Sequence, residues 1–411
     1  MNKFDLIVVG SGAAGLIGAI KAARDGKRVL LLEKLSQIAA KLKATGGGRC
    51  NLTNTLSNEA FMERFGREGL FMRDALERFN HQDLIAFFLE LGVETHAPDG
   101  YRVFPVSHQS VTIIAALKKE LEKRGVMIRC SCEVQDISHE EDVGFMVSTL
   151  QGDFFSKNII IATGGLGYPV LGAHGDGYRF ATSLGHKITA LSPAMMPLKV
   201  KETWVADCRA DTIARVEMRV DLPKSKKLRS QGDLIFSKNG IRGPVVLDFA
   251  RFVTPLLKKR DSVPILMNLT KGMHEEKIIR YLKNEAKEHP KHTILEHLHE
   301  LLPLSIAKAL CMRANIDTAM HYSKIKGFKK DRLIKLLAWT PLHVTGHDGF
   351  EKAMITRGGV SLKEINPKTM QSKLLKGLYF CGEVMDLDGP CGGYNLQWSF
   401  SSGYLAGSLS G

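Results

Sequence analysis

Apolar positions along this chain follow three rhythms. The first is continuous: after its opening residue, Asp5-Leu-Ile-Val-Val9 has no polar alternation, as a parallel strand buried on both faces requires. It runs into Gly10-Ser-Gly-Ala-Ala-Gly15, then a helical stretch from Leu16 to Arg24, then a second apolar strand, Arg28-Val-Leu-Leu-Leu32, ending at Glu33. The same rhythm returns in Ile159-Ile-Ile-Ala-Thr-Gly-Gly165 and in Gly377-Leu-Tyr-Phe-Cys-Gly-Glu383. Asp386 follows, and Gly392-Gly-Tyr-Asn395 opens a helical pattern that reaches Gly407.

The other two rhythms fill the middle. Residues 191–270 carry short alternating stretches, such as Arg215-Val-Glu-Met-Arg-Val220 and Asp233-Leu-Ile-Phe236, separated by turn residues. Over residues 273–337 the period becomes helical, and Pro303 separates two helices. The pattern predicts a discontinuous domain over 1–190 and 341–411, an inserted β-rich domain over 191–270 and an inserted helical subdomain over 271–340.

A strand, a G-x-G-x-x-G turn, a helix and an acid eighteen residues after the last glycine make a dinucleotide-binding unit. Gly10 permits the tight turn, Gly12 lets a pyrophosphate approach the backbone, and Gly15 packs helix on strand; Ser11, Ala13 and Ala14 complete the loop. The helix N-terminus offers N–H groups and a positive dipole end to phosphates, and Glu33 can accept from ribose hydroxyls. A second glycine loop, Thr45-Gly-Gly-Gly-Arg-Cys-Asn51, stands where a simple dehydrogenase carries another strand–helix unit. Gly46, Gly47 and Gly48 let main chain lie flat against a planar ring or a pyrophosphate, while Arg49 and Asn51 add charge and hydrogen bonds. Thr163 and Gly164 end a strand where the chain would pass the dinucleotide. Gly382, Glu383, Asp386, Gly393, Tyr394 and Asn395 suit the flavin end of FAD. Only one complete fingerprint occurs, so a second Rossmann domain for NAD(P)H is not indicated.

These motifs together resemble the BaiN/RdsA-type (YhiN-like) FAD-dependent oxidoreductases over nearly the whole chain. The resemblance implies an α/β fold: a glutathione-reductase-like FAD-binding Rossmann domain built from both ends of the chain, with an inserted β-rich subdomain and a helical subdomain. It implies FAD contacts at Gly10 to Gly15, Glu33, Lys34, Gly48, Arg49, Asn51, Val134, Thr163, Gly382, Glu383 and Asn395. Val134 enters because this fold lays a strand, here residues 127–134, near the adenine. Many relatives have another residue where this chain has Cys391, so the resemblance gives that cysteine no role.

Charge widens the range of partners. The 411 residues include 57 Lys or Arg against 43 Asp or Glu, a net charge of +14. Such a surface attracts RNA, nucleotides or anionic small molecules, and it equally serves solubility. The basic runs Lys224-Ser-Lys-Lys-Leu-Arg229 and Lys258-Lys-Arg260 lie far from the first motif. Seven scattered cysteines without a Cys-x-x-Cys read as reduced thiols, with no metal site; Cys130 and Cys132 are expected on one face of one strand. No apolar run approaches ~18 residues, and the N-terminus lacks a cleavage-site pattern, so a cytoplasmic chain without a membrane partner is expected.

FAD performs hydride transfer itself, and the protein adds orientation and proton donors. Candidate polar groups near the flavin ring are Arg49, Cys50, Tyr168, Arg242, Asp386 and Tyr394. A thiol, Cys50 or Cys391, could protonate a carbanion, although buried filler is the commoner use of such a side chain. His174, in Gly172-Ala-His-Gly-Asp-Gly177, is a further candidate base. Three functions stay open. One is an NAD(P)H-linked FAD enzyme reducing a small conjugated or carbonyl substrate. Another is a flavin enzyme making dihydrouridine in ribosomal RNA. The third is a non-catalytic flavoprotein. The sequence leaves the oligomeric state open.

Overall fold

The continuous apolar runs become the strands of one sheet. In the computed structural model, which describes residues 3–141, 143–225 and 227–410, β1 (Lys3–Val9) leads through Gly10 into α1 (Ala13–Arg24), and β2 (Val29–Leu32) returns beside it. β3 (Met127–Arg129), β4 (Val134–Glu140), β5 (Gly144–Thr149), β6 (Gly152–Ile161) and the helix α2 (Asp176–Ser183) follow. The strands β3-β2-β1-β6 are parallel neighbours. β6 serves two further partners. Its first half pairs antiparallel with β5, which in turn pairs with β4, and Ile159, Ile160 and Ile161 pair parallel with the C-terminal strand Leu378–Phe380. Leu6, Ile7, Val8, Leu30, Leu31 and these three isoleucines are wholly buried, each worth roughly 1.5–3 kcal/mol of transfer free energy.

The C-terminal helix Tyr394–Gly407 crosses α1 through glycine. A Cβ on Gly403 would stand 2.2 Å from the carbonyl oxygen of Ala14, and one on Gly407 would stand 2.3 Å from that of Gly18. Only bare backbone fits this approach.

The expected strand over 127–134 is interrupted. β3 stops at Arg129 because the next amides turn back on the β2 exit: Ser131 donates to the Leu35 carbonyl (2.8 Å) and Cys132 to that of Glu33 (2.9 Å). Ser131 takes a left-handed backbone, φ 52°. Cys130 is half-buried and Cys132 buried, so the two do not share a strand face.

The alternating stretches close an antiparallel barrel. Its strands are β7 (Leu198–Val200), β8 (Thr212–Val220), β9 (Arg229–Ser237), β10 (Gly240–Arg242), β11 (Val263–Asn268) and β12 (Thr340–His347), in the order β7-β10-β9-β8-β11-β12 and back to β7. The helix α3 (Pro244–Leu257) buries Val245, Val246, Phe249 and Val253 and packs against β8 to β12. Four helices, α4 (Glu275–Glu288), α5 (Ile294–His299), α6 (Leu304–Arg313) and α7 (Gly327–Ala338), precede the last strand.

The chain forms two compact units, Met1–Pro193 with Met354–Gly411, and Ala194–Ala353. This differs from the expected boundaries. Residues 340–347 close the barrel between β7 and β11, so the β-rich and helical stretches share one unit. The first unit resumes at Met354 instead of residue 341. Among the described residues, no helix is long and apolar enough to cross a membrane.

Candidate functional site

Parallel pairing brings four distant motifs to one sheet edge. Val9 stands beside Leu32 and Ile161, and Phe380 also stands beside Ile161. The chain leaves these residues through Gly10, Glu33, Thr163-Gly164 and Gly382-Glu383, at the carboxyl edge where open α/β sheets take ligands.

The three fingerprint glycines occupy different surroundings. Gly10 turns with φ 100°, and a Cβ there would lie 2.6 Å from the Ala162 carbonyl oxygen. A Cβ on Gly15 would come within 1.9 Å of the Gly10 oxygen. Gly12 is the reverse case: a Cβ would meet nothing within 4 Å. Gly12 is the extended N-cap of α1 (φ −71°, ψ −179°), and no side chain caps that helix. First-turn N–H groups and the positive end of the helix dipole therefore face open space. That cradle fits the diphosphate of a dinucleotide.

Glu33 is held on both oxygens. One accepts from the Ser11 N–H (3.0 Å) and, in a very short contact, from the Ser11 hydroxyl; the other accepts from the Leu35 N–H (2.9 Å). A carboxylate has about four acceptor sites, so capacity for a ribose hydroxyl remains. Lys34 pairs with Asp176 (2.5 Å) and lies 3.1 Å from Nδ1 of the exposed His174, which ties the β2 exit to the start of α2. Val134 is buried at the start of β4. The Thr163 hydroxyl is buried without a partner among the described residues; a Cβ on Gly177 would stand 2.0 Å from it. Gly164 turns with φ 72° beside open space.

The triple-glycine loop is not the flat strip its composition suggests. Thr45–Gly48 forms a single tight turn in which Gly46, Gly47 and Gly48 have φ of 59°, 67° and 87°. Arg49 is exposed, donates to the Gly46 carbonyl (3.2 Å) and lies 5.7 Å from the Phe104 ring centroid. Cys50 is wholly buried, and burial pushes its thiol up to about 11 against a hydrogen bond with Thr45. Its thiol is closed off from solvent, with Thr45 as a hydrogen-bond partner.

The turn before the C-terminal helix is fastened by two asparagines. With its amide oriented to satisfy both ends, Asn51 donates to the Thr53 carbonyl (3.0 Å) and accepts from the Gly393 N–H (3.1 Å). Asn395 accepts from the Gly389 N–H (2.8 Å) and donates to the carbonyls of Gly389 (2.9 Å) and Pro390 (3.2 Å). Both side chains thus shape the loop. The Tyr394 ring packs on Phe61 and Phe65, and its hydroxyl makes a very short contact with that of Tyr101. Burial holds the Asp386 carboxyl above its ordinary range; Asp388 and Glu68 add to this, while a Thr189 hydrogen bond and the Arg357 charge oppose it. Cys391 is half-buried in the same turn.

Three further expected residues sit on other elements. Gly382 turns with φ 75° and donates to the Ser402 hydroxyl (3.0 Å). Glu383 accepts from Lys41 (2.7 Å) and from the Thr356 N–H (2.9 Å). Arg242 is exposed at the end of β10, in the other unit. Lys41, Tyr101, Thr356 and Asp388, the last paired with Arg357 (3.1 and 3.2 Å), stand in no motif of the sequence. No spacing rule links a lysine at 41 to a glutamate at 383; only the sheet does.

The family model of the HI0933-like protein Rossmann domain matches residues 4–409. A 3-dehydro-bile acid delta(4,6)-reductase of Clostridium scindens is 31% identical over 411 residues, spanning 99% of this chain and 98% of that protein. A ribosomal RNA dihydrouridine synthase of Haemophilus influenzae is 31% identical over 402 residues, spanning 97% of this chain and 96% of that protein. Among solved structures, the open conformation of a flavocytochrome c3 fumarate reductase aligns with TM-score 0.54 at 18% identity, covering 99% of this chain and 78% of that one. That likeness is one of fold.

Proposed function

This chain belongs to the HI0933-like Rossmann family of flavoprotein oxidoreductases, and on that premise we propose that it uses FAD to reduce a carbon–carbon double bond conjugated to a carbonyl, with NAD(P)H as electron donor. The pair of full-length relatives carries this reading. One is named for reducing an unsaturated 3-oxo bile acid, the other for making dihydrouridine in ribosomal RNA. The two substrates share one reactive unit, because the double bond of uracil that is saturated in dihydrouridine is conjugated to a ring carbonyl. A hydride adds to the far carbon, a proton adds to the carbon beside the carbonyl, and NAD(P)H becomes NAD(P)+.

FAD, when bound, supplies the hydride chemistry. The protein's residues bind and orient. First-turn amides around Gly12 take the diphosphate, and Glu33, fixed by Ser11 and Leu35, takes the adenosine ribose. The Thr45–Arg49 loop, Thr163-Gly164, Gly382-Glu383 and the Gly393–Asn395 turn line the rest. Among the polar groups of the Gly382–Asn395 stretch, the Asp386 carboxyl, held above its ordinary range by burial, and the hydrogen-bonded Tyr394 and Tyr101 hydroxyls would supply the proton for the substrate carbon.

Between the two substrates, the net charge of +14 favours RNA. Ribosomal RNA from a strain lacking this gene, incubated with FAD-loaded protein and NADH or NADPH, should yield a uridine heavier by two hydrogens on mass spectrometry. An unsaturated 3-oxo steroid serves as the parallel acceptor. If neither acceptor gains hydrogen while NAD(P)H still reduces the flavin, the reading is wrong.

A further inference from the structure

The barrel unit carries a groove that no part of the cofactor reading uses. It has a volume of about 520 Å³ and is lined by Phe328, Asp331, Arg332, Lys335, Trp339 and Pro341, from α7 and the strand that follows it. We propose that this groove docks single-stranded RNA, with bases stacking on its aromatic rings and phosphates held by the cations around them. The inference rests on the RNA form of the function above.

Three observations converge on it. Phe328 is 68% exposed at the first turn of α7, a large ring with no fold-stabilising burial. Trp339 ends the same helix, half-buried, with the Arg219 guanidinium 3.9 Å from its ring centroid. Residues 324–335 also hold six cations, Lys324, Lys326, Lys329, Lys330, Arg332 and Lys335, against one carboxylate, Asp331. Aromatic faces interleaved with cations are what an unstacked strand needs, because every base has a π-face and every nucleotide a phosphate.

The barrel register extends the path. Arg219 on β8 stands opposite Leu266 on β11, which stands opposite Pro341 on β12 in the groove lining. On its other side Arg219 stands opposite Arg229 on β9. This row leads from the groove, over three strand spacings or about 14 Å, to the end of the basic run Lys224-Ser-Lys-Lys-Leu-Arg229. Lys226 of that run lies outside the described residues. The end of that run, Arg229, therefore lies on a row that reaches the groove at Pro341. Duplex RNA keeps its bases stacked inside and would leave both rings unused. Acidic peptides would use the cations but not the rings.

The test is fluorescence anisotropy of a labelled, uridine-rich single-stranded RNA with the full-length, FAD-loaded protein over a salt series. Phe328→Ala should weaken binding about 5- to 150-fold with the salt slope unchanged. The pair Arg332→Gln and Lys335→Gln should flatten the log–log slope by about 1.4, at ~0.7 per single-strand phosphate contact. Lys258→Gln with Lys259→Gln should leave both unchanged, and circular dichroism with denaturant titration should confirm that each variant is folded. The proposal is overturned if the groove variants bind like wild type. It is equally overturned if duplex RNA, polyglutamate or phosphatidylglycerol vesicles displace the strand as well as unlabelled single strand does. Turnover separates the two claims. Dihydrouridine formation with normal binding by Phe328→Ala removes the groove and keeps the function; groove-dependent binding without uridine reduction does the reverse.

Discussion

A methyl group added at Gly12 enters open space, whereas one added at Gly15 meets the Gly10 carbonyl oxygen at 1.9 Å. Gly12→Ala should therefore leave the melting temperature of flavin-free protein unchanged while cutting FAD affinity at least about tenfold, the loss of roughly one charge-assisted hydrogen bond. Gly15→Ala should destabilise the fold itself, by at least about 1–3 kcal/mol. Thermal unfolding and flavin content, measured on both, distinguish ligand space from packing. Cys50 supplies a pH test. Its folded thiol sits at about 11, above the ordinary value near 8.5, so the unfolded chain loses this proton first. The resulting stability is complete below about pH 8.5 and is lost as pH rises toward 11, by roughly 2–3 kcal/mol for this one group. Cys50→Ala should make urea stability of the first unit fall less steeply over that range. Cys208 and Cys311, also pushed up to about 11 by burial, lie in the other unit and keep its decline. The turn at Gly10 and the close packing at Gly15 were legible because a fixed spacing encodes a fixed turn. The burial of Cys50 was not legible, because a motif position says nothing about which way a left-handed residue turns its side chain.

The crossing of α1 with the C-terminal helix is where elements from the two chain ends meet. Gly403→Ala would place Cβ 2.2 Å from the Ala14 carbonyl oxygen, forcing apart two helices whose N-terminal ends both border the sheet edge. We expect a loss of about 1–3 kcal/mol in denaturant unfolding and a parallel loss of bound flavin. Full flavin occupancy with unchanged stability would show that the crossing does not hold the cradle. Strands with continuous apolar runs were readable because burial on both faces leaves no alternation. The break after Arg129 was not, since the amides of Ser131 and Cys132 are taken by carbonyls nearly a hundred residues away. The part Asn51 and Asn395 play in the turn was hidden for a similar reason. Their motif is visible, but the hydrogen bonds to Gly393, Gly389 and Pro390 that fasten the turn exist only in the fold.

At the scale of the whole molecule, the middle unit is continuous in sequence, whereas the first is assembled from two segments. Residues 194–353 contain a closed barrel and a separate buried core that includes Phe236, Phe249, Leu310 and Val344. Expressed alone, this segment should unfold cooperatively and bind no flavin; a shorter piece ending at residue 339 should not, because it lacks β12. Circular dichroism with denaturant titration compares the two. The boundary misplaced at residue 341 follows from the same fact: the strand that closes the barrel comes after sixty-odd helical residues, and local patterning does not reveal where a strand pairs. The central claim is two-electron delivery from bound flavin to a double bond beside a carbonyl. It is tested most directly by reducing the FAD-loaded protein with NADH or NADPH under anaerobic conditions. The reduced protein is then mixed with unmodified ribosomal RNA or an unsaturated 3-oxo steroid while the visible flavin band is followed. The account predicts that the oxidised band returns in step with saturation of one double bond per flavin. A flavin that stays reduced with both acceptors, yet reoxidises at once when oxygen is admitted, would contradict it.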